Sequence, residues 1–220
     1  YFIYIFMDLH QELRYARVFY EPLYLLNLEK SESKHVFKIS GSTANVYNIS
    51  FYPFSGKIFC NCPDAKSHAK KHHCLCKHIC FVLFKVLKES VDKNNTNLFQ
   101  THYLNSEEKE KAINKINNLN IYDNDFVNKK YLEKYEKLKN TDPKTLFSVK
   151  KEFKQEEDCP ICYDTLEEVK KCVQCPVCNN ILHVICMNKW LSSGNQNCPY
   201  CRSECWSNYN SEHNYINLDL

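Results

Sequence analysis

Four short pairs near the C-terminal end carry the clearest chemistry in this 220-residue chain: Cys159-x2-Cys162, Cys175-x2-Cys178, His183-x2-Cys186 and Cys198-x2-Cys201. Thiolates and imidazoles are the usual zinc donors, and a two-residue gap lets both members of a pair reach one ion. Eight donors suit two tetrahedral ions with four protein ligands each. Such sites are closed, so the metal would hold structure and would not activate water. A second constellation, Cys60-x-Cys62 and then Cys76-x-His78 after 13 intervening residues, offers four donors for one further ion. Rival donors stand nearby. Cys172 forms another two-residue-gap pair with Cys175, and Cys74, His72 and His73 lie beside Cys76. His72 and His73 belong to a basic stretch and read as solvated, Cys80 reads as a helix core residue, and Cys205 reads as a spare thiol.

Composition supports this reading. All 14 cysteines fall in two blocks, Cys60–Cys80 and Cys159–Cys205, with none between. Clustered Cys-x2-Cys spacing mixed with His indicates metal sites in place of a disulfide frame. The expected compartment is reducing: intracellular, cytoplasmic or nuclear. The start, Tyr1–Met7, is apolar but has no basic flank or small-residue cleavage site. It is far shorter than the roughly 20 residues needed to span a bilayer, so no membrane partner is expected. The first residue is not Met, which leaves Met7 as a candidate start and residues 1–6 as candidates for exclusion from the natural protein. Three glycines rule out Gly-rich phosphate loops as a theme, and a net charge of +3 argues against a large nucleic-acid face.

The elements that must position these donors can be read from periodicity. The runs 35–40, 45–52 and 57–60 alternate like strands, with turn signals at Gly41-Ser42 and at 53–56. From Lys77 to Ser90, Ile79, Val82, Leu83, Val86 and Leu87 form one apolar stripe on a helix. The region 91–157 is rich in Lys, Asn and Glu; 105–117 and 127–139 read as polar helices within a linker. The expected organisation is an N-terminal segment 1–33, a zinc module 34–90, a polar partly helical linker 91–157, a second zinc module 158–206 and a polar tail 207–220. The fold class is small α+β zinc-stabilised modules. A module of about 45 residues buries too little apolar surface to fold alone. Each structural zinc would contribute on the order of 10 kcal/mol.

The C-terminal pairs resemble the RING-finger family. That resemblance implies a cross-brace, with Cys159, Cys162, His183 and Cys186 on one zinc and Cys175, Cys178, Cys198 and Cys201 on the other. The short spacing from Cys178 to His183, seen in RING variants, favours Cys175 over Cys172 as the third ligand. One feature departs from the common pattern: Cys stands fourth and His fifth, whereas common RING domains put His fourth. PHD fingers share the order found here, but they usually carry an aromatic residue where this chain has Gln196. The marks of RING domains that bind a ubiquitin-conjugating enzyme are present instead: Ile161 in the first loop, Trp190 on the helix, Pro199 in the second loop and Arg202 directly after the last ligand.

The N-terminal donors Cys60, Cys62, Cys76 and His78, preceded by strands and followed by a helix, resemble the SWIM zinc finger, a β-hairpin plus helix. SWIM followed by RING resembles a known class of ubiquitin ligases. The resemblance implies a RING-type ubiquitin-protein transferase with three zinc ions and no covalent nucleophile. It would recruit a ubiquitin-loaded conjugating enzyme and promote transfer to a lysine of a protein substrate, with SWIM binding substrate or partner. SWIM fingers are also thought of as DNA-binding, and Lys66, Lys70, Lys71 and Lys77 are available to touch phosphate. The alternative is a zinc-dependent nucleic-acid- or chromatin-binding adaptor without ligase activity.

Overall fold

The computed structural model describes residues 9–89, 102–123, 125–141, 143–150, 157–209 and 216–218. The apolar start and most of the polar tail lie outside these. The chain divides into two compact units, residues 1–133 and 134–220.

The first unit opens with α1 (Leu9–Tyr20) and an antiparallel sheet in the order β1 (Tyr24–Lys30), β2 (His35–Ser40), β3 (Val46–Phe51) and β4 (Ile58–Cys60). Pairing is continuous from Lys30↔His35 and His35↔Phe51 to Phe51↔Ile58. Phe37, Ile39, Ile49 and Ile58 are buried on it. Two one-turn helices, α2 (Pro63–Lys66) and α3 (His68–Lys71), lead to α4 (Lys77–Cys80), which continues as a π-helical stretch Phe81–Val86. This apolar stretch is buried almost all round, as are Ile79 and Leu87. It is therefore an interior helix, more enclosed than the single stripe read from the sequence.

Two expectations of organisation change. The boundary placed after residue 33 falls inside the β1–β2 hairpin, and α1 packs on α4. Residues 9–30 therefore belong to the same unit as Cys60, Cys62, Cys76 and His78. The supposed linker also has a packed role. Ile58 N–H donates to His102 O at 3.1 Å and Leu104 N–H to Gly56 O at 2.9 Å, so residues 102–104 extend the edge at β4. Gly56 is needed there twice over. Its φ is +68°, and a Cβ would lie 2.5 Å from Leu104 O. Next, α5 (Ser106–Asn118) starts with a reciprocal capping box between Asn105 and Glu108. It buries Ala112 and Ile116 and bonds through Lys109 to Phe54 O and through Lys115 to Glu89. The division between the units falls within α6 (Lys129–Lys139).

The second unit holds a one-turn helix α7 (Pro143–Leu146), a hairpin of β5 (Cys172–Gln174) and β6 (Ile181–His183), α8 (Val184–Ser192) and a 3-10 turn Glu204–Asn208. Its core extends beyond the cysteine pairs. Phe147 and Trp206 are fully buried with ring centroids 4.6 Å apart, and Tyr209 packs edge-on to both. Gln174 joins this extension to the hairpin. Its N–H donates to Phe147 O at 2.9 Å, its Oε1 accepts Lys150 N–H at 2.8 Å, and its Nε2 donates to Asn179 O at 3.1 Å.

Candidate metal centres

In the first unit, Cys60, Cys62, Cys76 and His78 bring their donor atoms within 4.8 Å of one another. Cys60 ends β4. Asn61, between the first two cysteines, is pinned to β3: its N–H donates to Asn48 O at 3.1 Å and its Oδ1 accepts Asn48 N–H at 2.8 Å. Cys62 caps α2, its sulfur accepting Ala65 N–H at 3.4 Å, with Pro63 fitting the first helical position. Cys76 precedes α4, and His78 lies in its first turn under the Tyr47 ring, centroids 4.5 Å apart. Cys74 is buried, but its sulfur points to His72 O at 3.1 Å and stands outside the cluster.

Three side chains missed in the sequence, on α1 and just beyond it, hold this cluster. From α1, Gln11 bonds both backbone groups of Leu75, the residue before Cys76, and donates to Cys80 Sγ at 3.3 Å. Arg14 clasps Asp64, two residues after Cys62, with bonds of 3.0 and 2.8 Å, which raises the guanidinium pKa. Just beyond α1, Glu21 pairs with Lys77. Burial pushes the Glu21 carboxyl up, but the bonds to Lys77 outweigh it and leave the group below its ordinary value. Lys77 also donates to Ser42 Oγ at 2.8 Å. It is held inside the fold and is not a free phosphate contact.

In the second unit the donors gather as Cys159, Cys162, His183, Cys186 and as Cys175, Cys178, Cys198, Cys201, each set within 4.8 Å. These sets alternate along the chain. Three of the four pairs share one backbone device. The residue after each second cysteine is left-handed: Tyr163 at φ 63°, Asn179 at 61° and Arg202 at 59°. Its N–H returns to the carbonyl of the first cysteine in all three: Tyr163 to Cys159 at 2.8 Å, Asn179 to Cys175 at 2.9 Å and Arg202 to Cys198 at 2.9 Å. The first cysteine's own N–H reaches one residue further, to Asp164, Asn180 or Ser203 O, at 2.9 Å in every case. These tight knuckles aim backbone N–H groups at the first sulfur of each pair. The fourth pair has no knuckle: His183 ends β6 and precedes α8, whose first turn holds Cys186. Cys172 sits across the hairpin from His183, buried and outside both sets, while Cys175 lies within one.

The donors fit zinc by spacing and by charge. A tetrahedral ion with Zn–S bonds of about 2.3 Å needs S···S separations of about 3.8 Å. Cys175–Cys201 and Cys178–Cys198 are 3.9 and 3.8 Å apart. His183 Nδ1 lies 3.4 Å from Cys162 Sγ and 3.9 Å from Cys186 Sγ. Without a cation these thiols cannot all ionise. At the first cluster, hydrogen bonds from Cys60 and Cys76 bring Cys62 far down, while burial drives Cys60 and Cys76 up. In the second unit burial raises Cys159, yet backbone N–H donors outweigh it and bring it to about 7. Cys186 is pushed up to about 12 by burial and by Cys162. Cys198 is likewise pushed up to about 12, first by its bond with Cys175 and then by burial. A divalent cation lets such crowded thiols lose their protons together.

The residues named for partner contact stay outside the donor sets. Ile161, Trp190 and Pro199 are half-buried and Arg202 is exposed. Trp190 Nε1–H donates to Asn197 O at 2.8 Å, fixing the ring against the loop that leads into Cys198. Among the described residues no helix is long and apolar enough to cross a membrane.

Interleaved donor sets, a hairpin and a short helix define a RING-type zinc finger. Residues 157–202 match the Ring finger domain family. Over 46 residues the chain is 41% identical to the RING-H2 finger protein ATL54 of Arabidopsis thaliana, a stretch that covers 21% of this chain and 11% of that protein. No solved structure matches the chain.

Proposed function

We propose that the chain is a RING-type ubiquitin ligase holding three zinc ions, one in a SWIM-type finger built on Cys60, Cys62, Cys76 and His78. The observation that carries this reading is the third knuckle. It leaves Arg202 exposed immediately after Cys201, while the half-buried Ile161, Trp190 and Pro199 keep part of their apolar surface available. The RING match over 157–202 and the RING-H2 relative support the ligase class. The zinc ions hold the loops in shape when bound. Ile161, Trp190 and Pro199 form the apolar surface that docks a conjugating enzyme, where a few anchors dominate affinity. Arg202 then donates to the enzyme and its attached ubiquitin together, and its planar guanidinium suits two acceptors at once. Transfer is accelerated by restraining the thioester, which is catalysis by orientation.

The first unit is the substrate- or partner-binding module, and the rival DNA-binding role is weakened by the pairing of Lys77 with Glu21. The deciding experiment is autoubiquitination across a panel of conjugating enzymes. Ubiquitin chains with at least one enzyme, lost on chelation of zinc, are expected. No transfer with any enzyme, together with zinc-dependent retention of DNA or histone peptides, would favour the adaptor reading.

A further inference from the structure

Cys205 lies outside the four donors of the second RING centre, yet its surroundings are those of a ligand. It is fully buried, and its sulfur is 3.7 Å from Cys175 Sγ. That is the S···S spacing of a tetrahedral zinc site, about 3.8 Å. A buried free cysteine ordinarily behaves as a small apolar side chain, but this one faces sulfur and hydroxyl. Ser203 Oγ lies 3.2 Å from Cys205 Sγ and also 3.2 Å from Cys201 Sγ. Cys201 is the exposed donor of its set; Cys175 and Cys198 are fully buried and Cys178 half-buried. A fifth sulfur therefore stands beside the four donors of this centre, touching Cys175 and lying outside the mutually close set. The most accessible of them shares a hydroxyl with the buried fifth.

We propose that Cys205 is a reserve thiolate ligand that replaces Cys201 at this centre; this rests on reading the second set as a zinc site. In the exchange Cys205 gives its proton to solvent as its sulfur takes the coordination position. Released, Cys201 either takes up a proton or reacts with an electrophile. The set remains four sulfurs, so the domain keeps its metal after attack on the one exposed ligand. Trp206, anchored on Phe147 beside Cys205, keeps the reserve thiol at the centre.

The test uses the full chain. Zinc per chain and the thiolate-to-cobalt absorption of the cobalt-substituted protein are measured for wild type, Cys201→Ser, Cys205→Ser and the double variant. Cys201→Ser and Cys205→Ser should each keep the wild-type metal count. Cys201→Ser should also keep the absorption of a four-thiolate site, and the double variant should lose one ion. Loss of one ion from Cys201→Ser alone, or a full count in the double variant, overturns the proposal.

A second measurement avoids any folding defect. Zinc-loaded wild type is treated with N-ethylmaleimide, whose double bond takes the thiolate sulfur on one carbon and a proton on the other. Chains alkylated once should carry the label on Cys201 and retain all their zinc, with Cys205 unmodified. Release of zinc on that first addition, or labelling of Cys205, overturns it. A wild-type chain with no zinc at this centre would remove the metal reading itself, a result visible before any variant is made.

Discussion

Gln11 on α1 holds the backbone of Leu75 from both sides: Leu75 N–H donates to Oε1 at 2.7 Å, and Nε2 donates to Leu75 O at 3.4 Å. Leu75 is fully buried and precedes Cys76, so a side chain 64 residues away in sequence sets the approach of one donor. Gln11→Ala leaves a buried amide unpaired, at a cost of about 1–3 kcal/mol. Supporting groups of this kind typically govern metal affinity about 10–100-fold. Competition with a chromophoric chelator should show one of the three ions bound more weakly by that factor, with the other two unchanged. Equal retention of all three would separate α1 from the first centre.

The sequence disclosed the donors and the strands beside them better than it disclosed what holds them. The run 35–40 is β2 to the residue, because its apolar residues and turn signals are regular. The strand β1 gave no such signal. A bulge between Leu25 and Asn27 breaks the alternation and buries Leu25 and Leu26 together. The helix α1 was hidden because its buried face includes Gln11 and Arg14, polar side chains whose partners, Leu75 and Asp64, are distant in sequence. Phe147 was hidden for the same reason. A lone aromatic in a Lys-rich stretch carries no periodicity, and only the fold places it against Trp206. The knuckles were legible as Cys-x2-Cys spacing, but the left-handed residue after each one, Tyr163, Asn179 and Arg202, is of no fixed type.

Phe147→Ala in the full chain should destabilise the second unit. The ring is fully buried against Trp206 and Tyr209, and deletions of this size cost about 3–5 kcal/mol. Trp206 fluorescence in denaturant unfolding would report it, against the background of the one other tryptophan, Trp190. The expected result is an earlier transition in the second unit and unchanged zinc in the first. An unshifted transition would mean that 143–150 adds nothing to the RING core.

Cys172→Ser and Cys175→Ser should behave oppositely although the two stand three residues apart. Cys172 faces His183 across the hairpin and joins no donor set, so its serine variant should hold three ions. Cys175 is a fully buried member of its set, and its serine variant should release one ion and loosen β5 and α8. Metal analysis with circular dichroism decides it. The reverse outcome would make Cys172 the third RING ligand.

The proposed ligase mechanism separates Arg202 from Ile161. Neither is a donor, so both alanine variants should keep their zinc. Arg202 occupies φ 59°, a conformation already strained for any L residue, and Ala suffers the same strain; the third knuckle should therefore close as before. Ile161→Ala removes an apolar anchor and should weaken docking of the conjugating enzyme itself. Arg202→Ala should leave docking of the unloaded enzyme nearly intact and slow discharge of the ubiquitin-loaded one. A charged hydrogen bond of this kind is worth about 1.5–3 kcal/mol, which corresponds to roughly tenfold to a hundredfold in rate. Single-turnover discharge to free lysine measures the second effect, and titration of the unloaded enzyme measures the first. Normal discharge by folded, zinc-loaded Arg202→Ala would remove the bridge from the mechanism and favour the adaptor reading. Loss of docking by the same variant would instead place Arg202 within the apolar docking surface.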